Sequence, residues 1–286
     1  MDTTHGPVVV GTDGSPRATA AVMWAAGEAV LRDRPLHILH AAGIETRSGR
    51  NLSPETAQLV LDGGRALLDE AAASATGRYP DLAVSTSLGK GKPAESLLAQ
   101  SLAEGLTVVG CRGRGGFHAL LLGSVGLRVA TQARGPVVVV RGSEQPSTGV
   151  VLVGIRDETD LATVRFAADE ARLRKATLRL LTAWSLLGAV GEMVPGLDDA
   201  TSVGDREAAA EQHVADTIRE EYPDITVTVD LVKASSASGA LVDASAHADL
   251  LVAGARRHQR SSGRLAHVTH AVLHHAHCPV AVFHHP

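Results

Sequence analysis

Residues 110–124 read GCRGRGGFHALLLGS, and the fold turns on how this stretch is understood. Gly110 is followed after two residues by Gly113, and after nine more by Gly123-Ser124. An apolar run, Leu106 to Val109, precedes the first glycine, and Gly-Ser is a natural start for a helix. Strand, glycine loop and helix in that order suit a polyphosphate, because loop amides and a helix N-terminus both point positive charge at it. Residues 254–268 hold the same place in the second half of the chain and read GARRHQRSSGRLAHV. There Gly254 survives, Arg257 replaces the second glycine, and Ala266-His267 stand where Gly-Ser should be. One working nucleotide site and one lost site is the simplest expectation.

The motif recurs because the whole chain is a tandem repeat with an offset of about 143 residues, a domain-scale period. Each half holds five short β-branched runs separated by helical patterns such as Ala18–Leu31 and Leu161–Leu173. Strands are expected near 7–12, 35–41, 82–88, 106–110 and 136–141, and again near 150–155, 177–183, 225–232, 249–254 and 279–284. Near-continuous apolar strands imply a parallel sheet covered on both faces. Alternation of strand and helix implies right-handed crossovers, hence two tandem doubly wound α/β domains of five parallel strands in the order 3-2-1-4-5. The expected domains are 1–142, with an intact site, and 150–286, with a degenerate one. The polar, turn-rich Gly142–Gly149 (GSEQPSTG) links them. The apolar fifth strands, Val137–Val140 and Val280–Phe283, would form sheet edges. Bare apolar edges invite pairing, so a pseudo-dimer of the two halves is expected, with a larger homo-oligomer also open.

Composition excludes several functions. A net charge of −4 lacks the basic field that non-specific nucleic-acid binding needs. Three Phe, two Trp and two Tyr are too few for a base-stacking platform, so no nucleic-acid partner is expected. Two cysteines, Cys111 and Cys278, make no disulfide framework and fit a reducing cytoplasm. The opening MDTTHGPVVVG has neither the basic region nor the apolar stretch of a leader or anchor, and no apolar run is long enough to span a bilayer. A cytoplasmic location without a membrane partner is therefore expected.

In the 3-2-1-4-5 order the switch point lies between strands 1 and 4, and the loops leaving them face each other across a crevice. Strand 1 exits into Gly11-Thr12-Asp13-Gly14-Ser15, and strand 4 into the glycine loop. Gly110 and Gly113 would let backbone approach a ligand without a Cβ in the way. Arg112 and Arg114 can supply charge to phosphates, Ser124 a hydroxyl and an amide, and Asp13 a hydrogen-bond acceptor for a ribose or an adenine amino group.

These residues carry a family resemblance. VVVGTDGS at the start, Gly-x2-Gly-x9-Gly-Ser in the middle and PVVVVR at the end of the first half resemble the universal stress proteins, and the likeness recurs in the second half. Similarity to the ATP-binding branch of that family implies ATP as ligand, with magnesium as an optional companion, and a stress-response role exerted through an unidentified protein partner. It implies Asp13 at the adenine or ribose end, with Gly11, Thr12 and Ser15 in the same loop. Backbone contact to adenine would come from Ala41, and Val109, Gly110, Arg112, Gly113 and Arg114 would line the ribose and phosphate path. Gly123, Ser124 and Val125 would hold phosphates at the helix start. Gly126 departs from the hydroxyl residue sometimes found there. In the second half Asp13 aligns with Arg156, and neighbouring Asp157 could substitute only by a register shift.

No P-loop lysine and no clear water-activating acid accompany the glycine loop, so binding with little or no turnover is expected, with no catalytic residue and no metal ligand set. An adenylyl-transferring α/β enzyme is one rival, but neither His-Ile-Gly-His nor Ser-Gly-Gly-x-Asp-Ser occurs. A nucleotide-independent interaction module is the other. His267, His270, His274, His275 and His277 crowd the last helix, with His270 and His274 at i, i+4, and no carboxylate or thiolate nearby completes a zinc set. Cys111 sits inside the phosphate loop as a small filler residue or, if its pKa were lowered, an oxidisable thiol.

Overall fold

The computed structural model describes residues 6–44, 53–102, 105–113, 122–141, 146–184, 211–256 and 265–285. Two units divide the chain, Met1–Glu144 and Gln145–Pro286.

The first unit runs β1 (Val8–Gly11), α1 (Pro16–Leu31), β2 (Leu36–Ala41), α2 (Pro54–Arg78), β3 (Val84–Gly89), α3 (Pro93–Gln100), β4 (Leu106–Gly110), α4 (Ser124–Gln132) and β5 (Val137–Val140). Its strands lie in the order β3-β2-β1-β4-β5, all parallel. Val8, Val9 and Val10 are all buried, because helices cover both faces of the sheet. On one face α1 packs against β1 and β4 and touches α2; on the other α3 packs against α4 and β1. Five alanines of α1, Ala18, Ala21, Ala25, Ala26 and Ala29, face inward at helical spacing, so this helix approaches the sheet closely without large side chains.

The second unit repeats this plan with β6 (Val150–Gly154), α5 (Leu161–Arg174), β7 (Thr177–Trp184), α6 (211–221), β8 (Val227–Lys233), α7 (Ala237–Ala244), β9 (Leu250–Arg256), α8 (His267–His275) and β10 (Val280–His285). Its strand order is β8-β7-β6-β9-β10, the same topology, again all parallel.

Boundaries move by one or two residues from the sequence expectation, for local reasons. Strand β3 starts at Val84 and not at 82, because the Leu82 amide donates to Tyr79 O at 3.1 Å and holds that segment in a turn. Strand β8 starts at Val227 for the same reason, with the Ile225 amide donating to Tyr222 O at 3.3 Å. Helix α1 begins two residues before Ala18, since Ser15 Oγ accepts from the Ala18 amide at 3.3 Å and Pro16 suits the first turn. Two conserved-in-place ion pairs also mark the repeat: Arg32–Glu28 at 3.0 Å ends α1, and Arg174–Glu170 at 2.5 Å ends α5. Both glutamates are buried.

One tie fixes the entry to the second unit. The Asp249 carboxylate accepts four hydrogen bonds, from Ser147 Oγ at 2.7 Å, the Thr148 amide at 2.6 Å, Thr148 Oγ1 at 2.9 Å and the Gly149 amide at 2.8 Å. Burial pushes this carboxyl up, but those four donors outweigh it and hold the pKa below the ordinary aspartate value. No helix among the described residues is long and apolar enough to cross a membrane.

Candidate functional site

The site of the first unit is built where β1 and β4 release their loops. After Gly11 the chain turns sharply, with Gly14 at a positive φ of 72°, which glycine tolerates without a Cβ clash. Local bonds set the turn. Thr12 Oγ1 accepts from the Gly14 amide at 3.2 Å, and His40 Nδ1 donates to Thr12 O at 2.8 Å. Asp13 Oδ1 accepts from the Ser15 amide at 3.0 Å. Thr12 is buried and Ser15 caps α1, so the hydroxyls of both residues serve the turn that aims Asp13.

The opposing loop meets this turn at Gly113. A Cβ on Gly113 would stand 2.2 Å from Asp13 Oδ2, far inside van der Waals contact. Thus Asp13 and Gly113, far apart in sequence, meet across the crevice, and a side chain at 113 would have to displace the Asp13 carboxylate. Gly110 has a different reason to be glycine. Its missing Cβ would lie 3.0 Å from the Arg17 carbonyl oxygen, so it lets β4 pass close to the start of α1.

Helix α4 closes the third side. Its N-cap is Gly123, which offers no side-chain cap, and the Gly123 amide donates to Cys111 O at 2.8 Å. This bond pins the helix start against the β4 loop. The first-turn amides of Ser124, Val125 and Gly126 therefore emerge next to that loop with no side-chain cap among the described residues, and the helix dipole adds partial positive charge there. Ser124 is exposed and Val125 and Arg112 are half-buried. Gly126 is buried, with its Cβ position 3.2 Å from Leu122 Cδ1 and 3.5 Å from Gly110 O, so packing accounts for the small residue there. Ala41 ends β2 and Val109 is the next-to-last residue of β4, on the same edge of the sheet. Arg114 lies outside the described residues.

Sequence reasoning missed Arg17. Its Nη1 donates to Cys111 Sγ at 3.1 Å, across 94 residues, and Cys111 is buried. The thiol thus fills a buried position beneath a guanidinium. A Gly-Ser-Pro-Arg turn gives no hint of this partner. Among the described residues no group of three His, Cys, Asp or Glu side chains is placed to hold a metal. His270 and His274 instead stack on each other with ring centroids 4.4 Å apart.

The equivalent place in the second unit is altered chemically. Where the first unit has Asp13 and Arg17, the second has Arg156 and Asp160, a charge reversal in register. Arg156 grips Asp160 through Nη2–Oδ1 at 2.8 Å and Nε–Oδ2 at 3.1 Å. Asp157 does not stand in for Asp13; it caps the following 3-10 turn, accepting from the Thr159 amide at 2.8 Å. Even so, a cavity of about 520 Å³ opens here, bordered by the ends of β6 and β9 and the first turn of α8.

Asp13 offers an acceptor at one end, Gly113 leaves the path open, and α4 offers unshared amides at the other. Comparison with known proteins agrees with the fold. The model of the Universal stress protein family matches residues 5–141 and again 148–284. A universal stress protein of Mycobacterium tuberculosis is 37% identical over 272 residues, covering 90% of this chain and 89% of that protein. One from Mycolicibacterium smegmatis is 31% identical over 272 residues, with 90% of each covered. Among solved structures, a universal stress protein from Archaeoglobus fulgidus superposes with a TM-score of 0.73 at 16% identity, covering 97% of this chain and 96% of that one.

Proposed function

Since this chain belongs to the universal stress protein family, as two of its domains in tandem, we propose that it is an ATP-binding regulatory module whose ligand sits in the first unit. The observation that carries this reading is the meeting of Asp13 and Gly113 beside the uncapped start of α4. One acceptor and one anion-seeking helix terminus, with Gly113 between them, match a nucleoside at one end and phosphates at the other. In this reading Asp13 receives hydrogen bonds from the nucleoside and the Ala41 backbone contacts the base. Gly123, Ser124 and Val125 present amides, and Ser124 its hydroxyl, to the phosphates, with Arg112 as countercharge. Magnesium would arrive with the phosphates, because Asp13 is committed to the nucleoside end and no cluster of acids among the described residues forms a separate metal seat.

Turnover is expected to be negligible. Hydrolysis needs a group that orients or deprotonates water at the γ-phosphate, and Asp13 is at the other end. Binding would instead stabilise the first unit by mass action, and a partner protein would sense the change. The test is calorimetric titration with ATP, ADP and AMP, paired with a phosphate-release assay. ATP should bind more tightly than AMP, since the α4 terminus rewards phosphates, and phosphate release should stay at background. Equal affinity for AMP and adenosine would mean that the phosphates are not held, and sustained release would make the protein an enzyme.

A further inference from the structure

The cavity of the second unit keeps the location of a ligand site while reversing its chemistry. At about 520 Å³ it is within the range of small-molecule pockets, roughly 300–1,000 Å³. Its walls are largely aliphatic, with Leu181, Leu241, Val252 and Val268 among them. Arg156, Asp160, His267, Thr269 and His285 also border it, and two further polar features meet at one place. The first is Thr163, a lining residue buried to 1% exposure, whose Oγ1 has no hydrogen-bond partner among the described residues. A buried hydroxyl left without a partner is costly, so a ligand group that engages it is rewarded. The second is the start of α8, a nine-residue helix whose N-cap, Ala266, supplies no side-chain acceptor to the first-turn amides. Gly254 holds the two together. Thr163 Oγ1 lies 2.6 Å from its Cβ position, and Thr269 of the first helical turn donates to its carbonyl at 2.8 Å.

Charge narrows the ligand class. Arg156 stands where the first unit has Asp13, so the acceptor that a nucleoside would use is absent, and Asp160 takes two donors of the Arg156 guanidinium and matches its charge. A triphosphate would find neither the Asp13 acceptor nor unmatched positive charge from this pair. A single anionic head, in contrast, is served by a helix terminus and a hydroxyl. We infer that the second-unit cavity binds a small monocarboxylate with an apolar body, the carboxylate at Thr163 and the α8 N-terminus and the body against the aliphatic wall. This site is independent of ATP binding in the first unit.

Octanoate is the probe, titrated calorimetrically into the full chain. One octanoate per chain should bind, and saturating ATP should leave its affinity unchanged. Thr163→Val removes the hydroxyl at nearly constant volume and should weaken octanoate about fivefold. Ala253→Leu fills the cavity from β9 and should weaken it at least tenfold. Absence of octanoate binding, displacement of octanoate by ATP, or wild-type affinity in Thr163→Val each overturns the inference. The conservative valine variant keeps the test decisive if the larger leucine impairs folding.

Discussion

Replacing Gly113 by alanine probes the link between the two loops. An ideal Cβ there would stand 2.2 Å from Asp13 Oδ2 and 3.2 Å from its Cγ. Non-bonded heavy atoms settle about 3.5 Å apart, so the carboxylate must retreat by roughly 1 Å. Gly113 does not have a positive φ, so the alanine backbone is not strained, and the residue is exposed. Stability should therefore change little: loss of the Asp13 Oδ1 bond from the Ser15 amide is worth about 1 kcal/mol. Affinity should change far more. A hydrogen bond to a charged group contributes about 1.5–3 kcal/mol, so displacing the carboxylate weakens ATP by about 10- to 150-fold. Calorimetry on Gly113→Ala, Asp13→Ala and the double variant forms a thermodynamic cycle. If the alanine acts by moving Asp13, the double variant binds ATP no worse than Asp13→Ala alone. Full additivity of the two losses, or wild-type affinity in Gly113→Ala, would refute the reasoning.

Other perturbations test the frame. Asp249→Ala removes the acceptor of four hydrogen bonds and should destabilise the second unit by about 2–4 kcal/mol in urea denaturation. The folded pKa of Asp249 lies below its unfolded value of about 3.9. Its contribution is therefore fully present above that pH and is lost as pH falls through the folded pKa; Asp249→Asn should flatten this acid limb. Arg174→Ala strips the partner from buried Glu170 and should cost roughly 3 kcal/mol at neutral pH, measured by chemical denaturation. A change under 1 kcal/mol would show that water or another group already serves Glu170.

The fold was legible because its information is local. Valine runs fix the strands, Ser15-Pro16 the start of α1, and the repeat fixes the topology twice over. The convergence of the Asp13 loop on the glycine loop was also legible, since the switch point follows from strand order. Pair identities were not. That Gly113 sits under Asp13, that Gly110 makes room for the Arg17 carbonyl, and that Arg17 reaches Cys111 depend on tertiary distances that no spacing encodes. The damaged motif at Gly254 suggested a lost site, yet a cavity remains, because it is shaped by the β6 and β9 ends and by small residues such as Ala183 and Ala253, none of which needs the second glycine.

Native mass spectrometry of the full chain titrated with ATP tests the central claim most directly. A single ATP per chain at saturation, lost in Gly113→Val and retained in Thr163→Val, is the predicted result. Two ATP per chain, or one that survives Gly113→Val, would contradict the assignment of the nucleotide to the first unit.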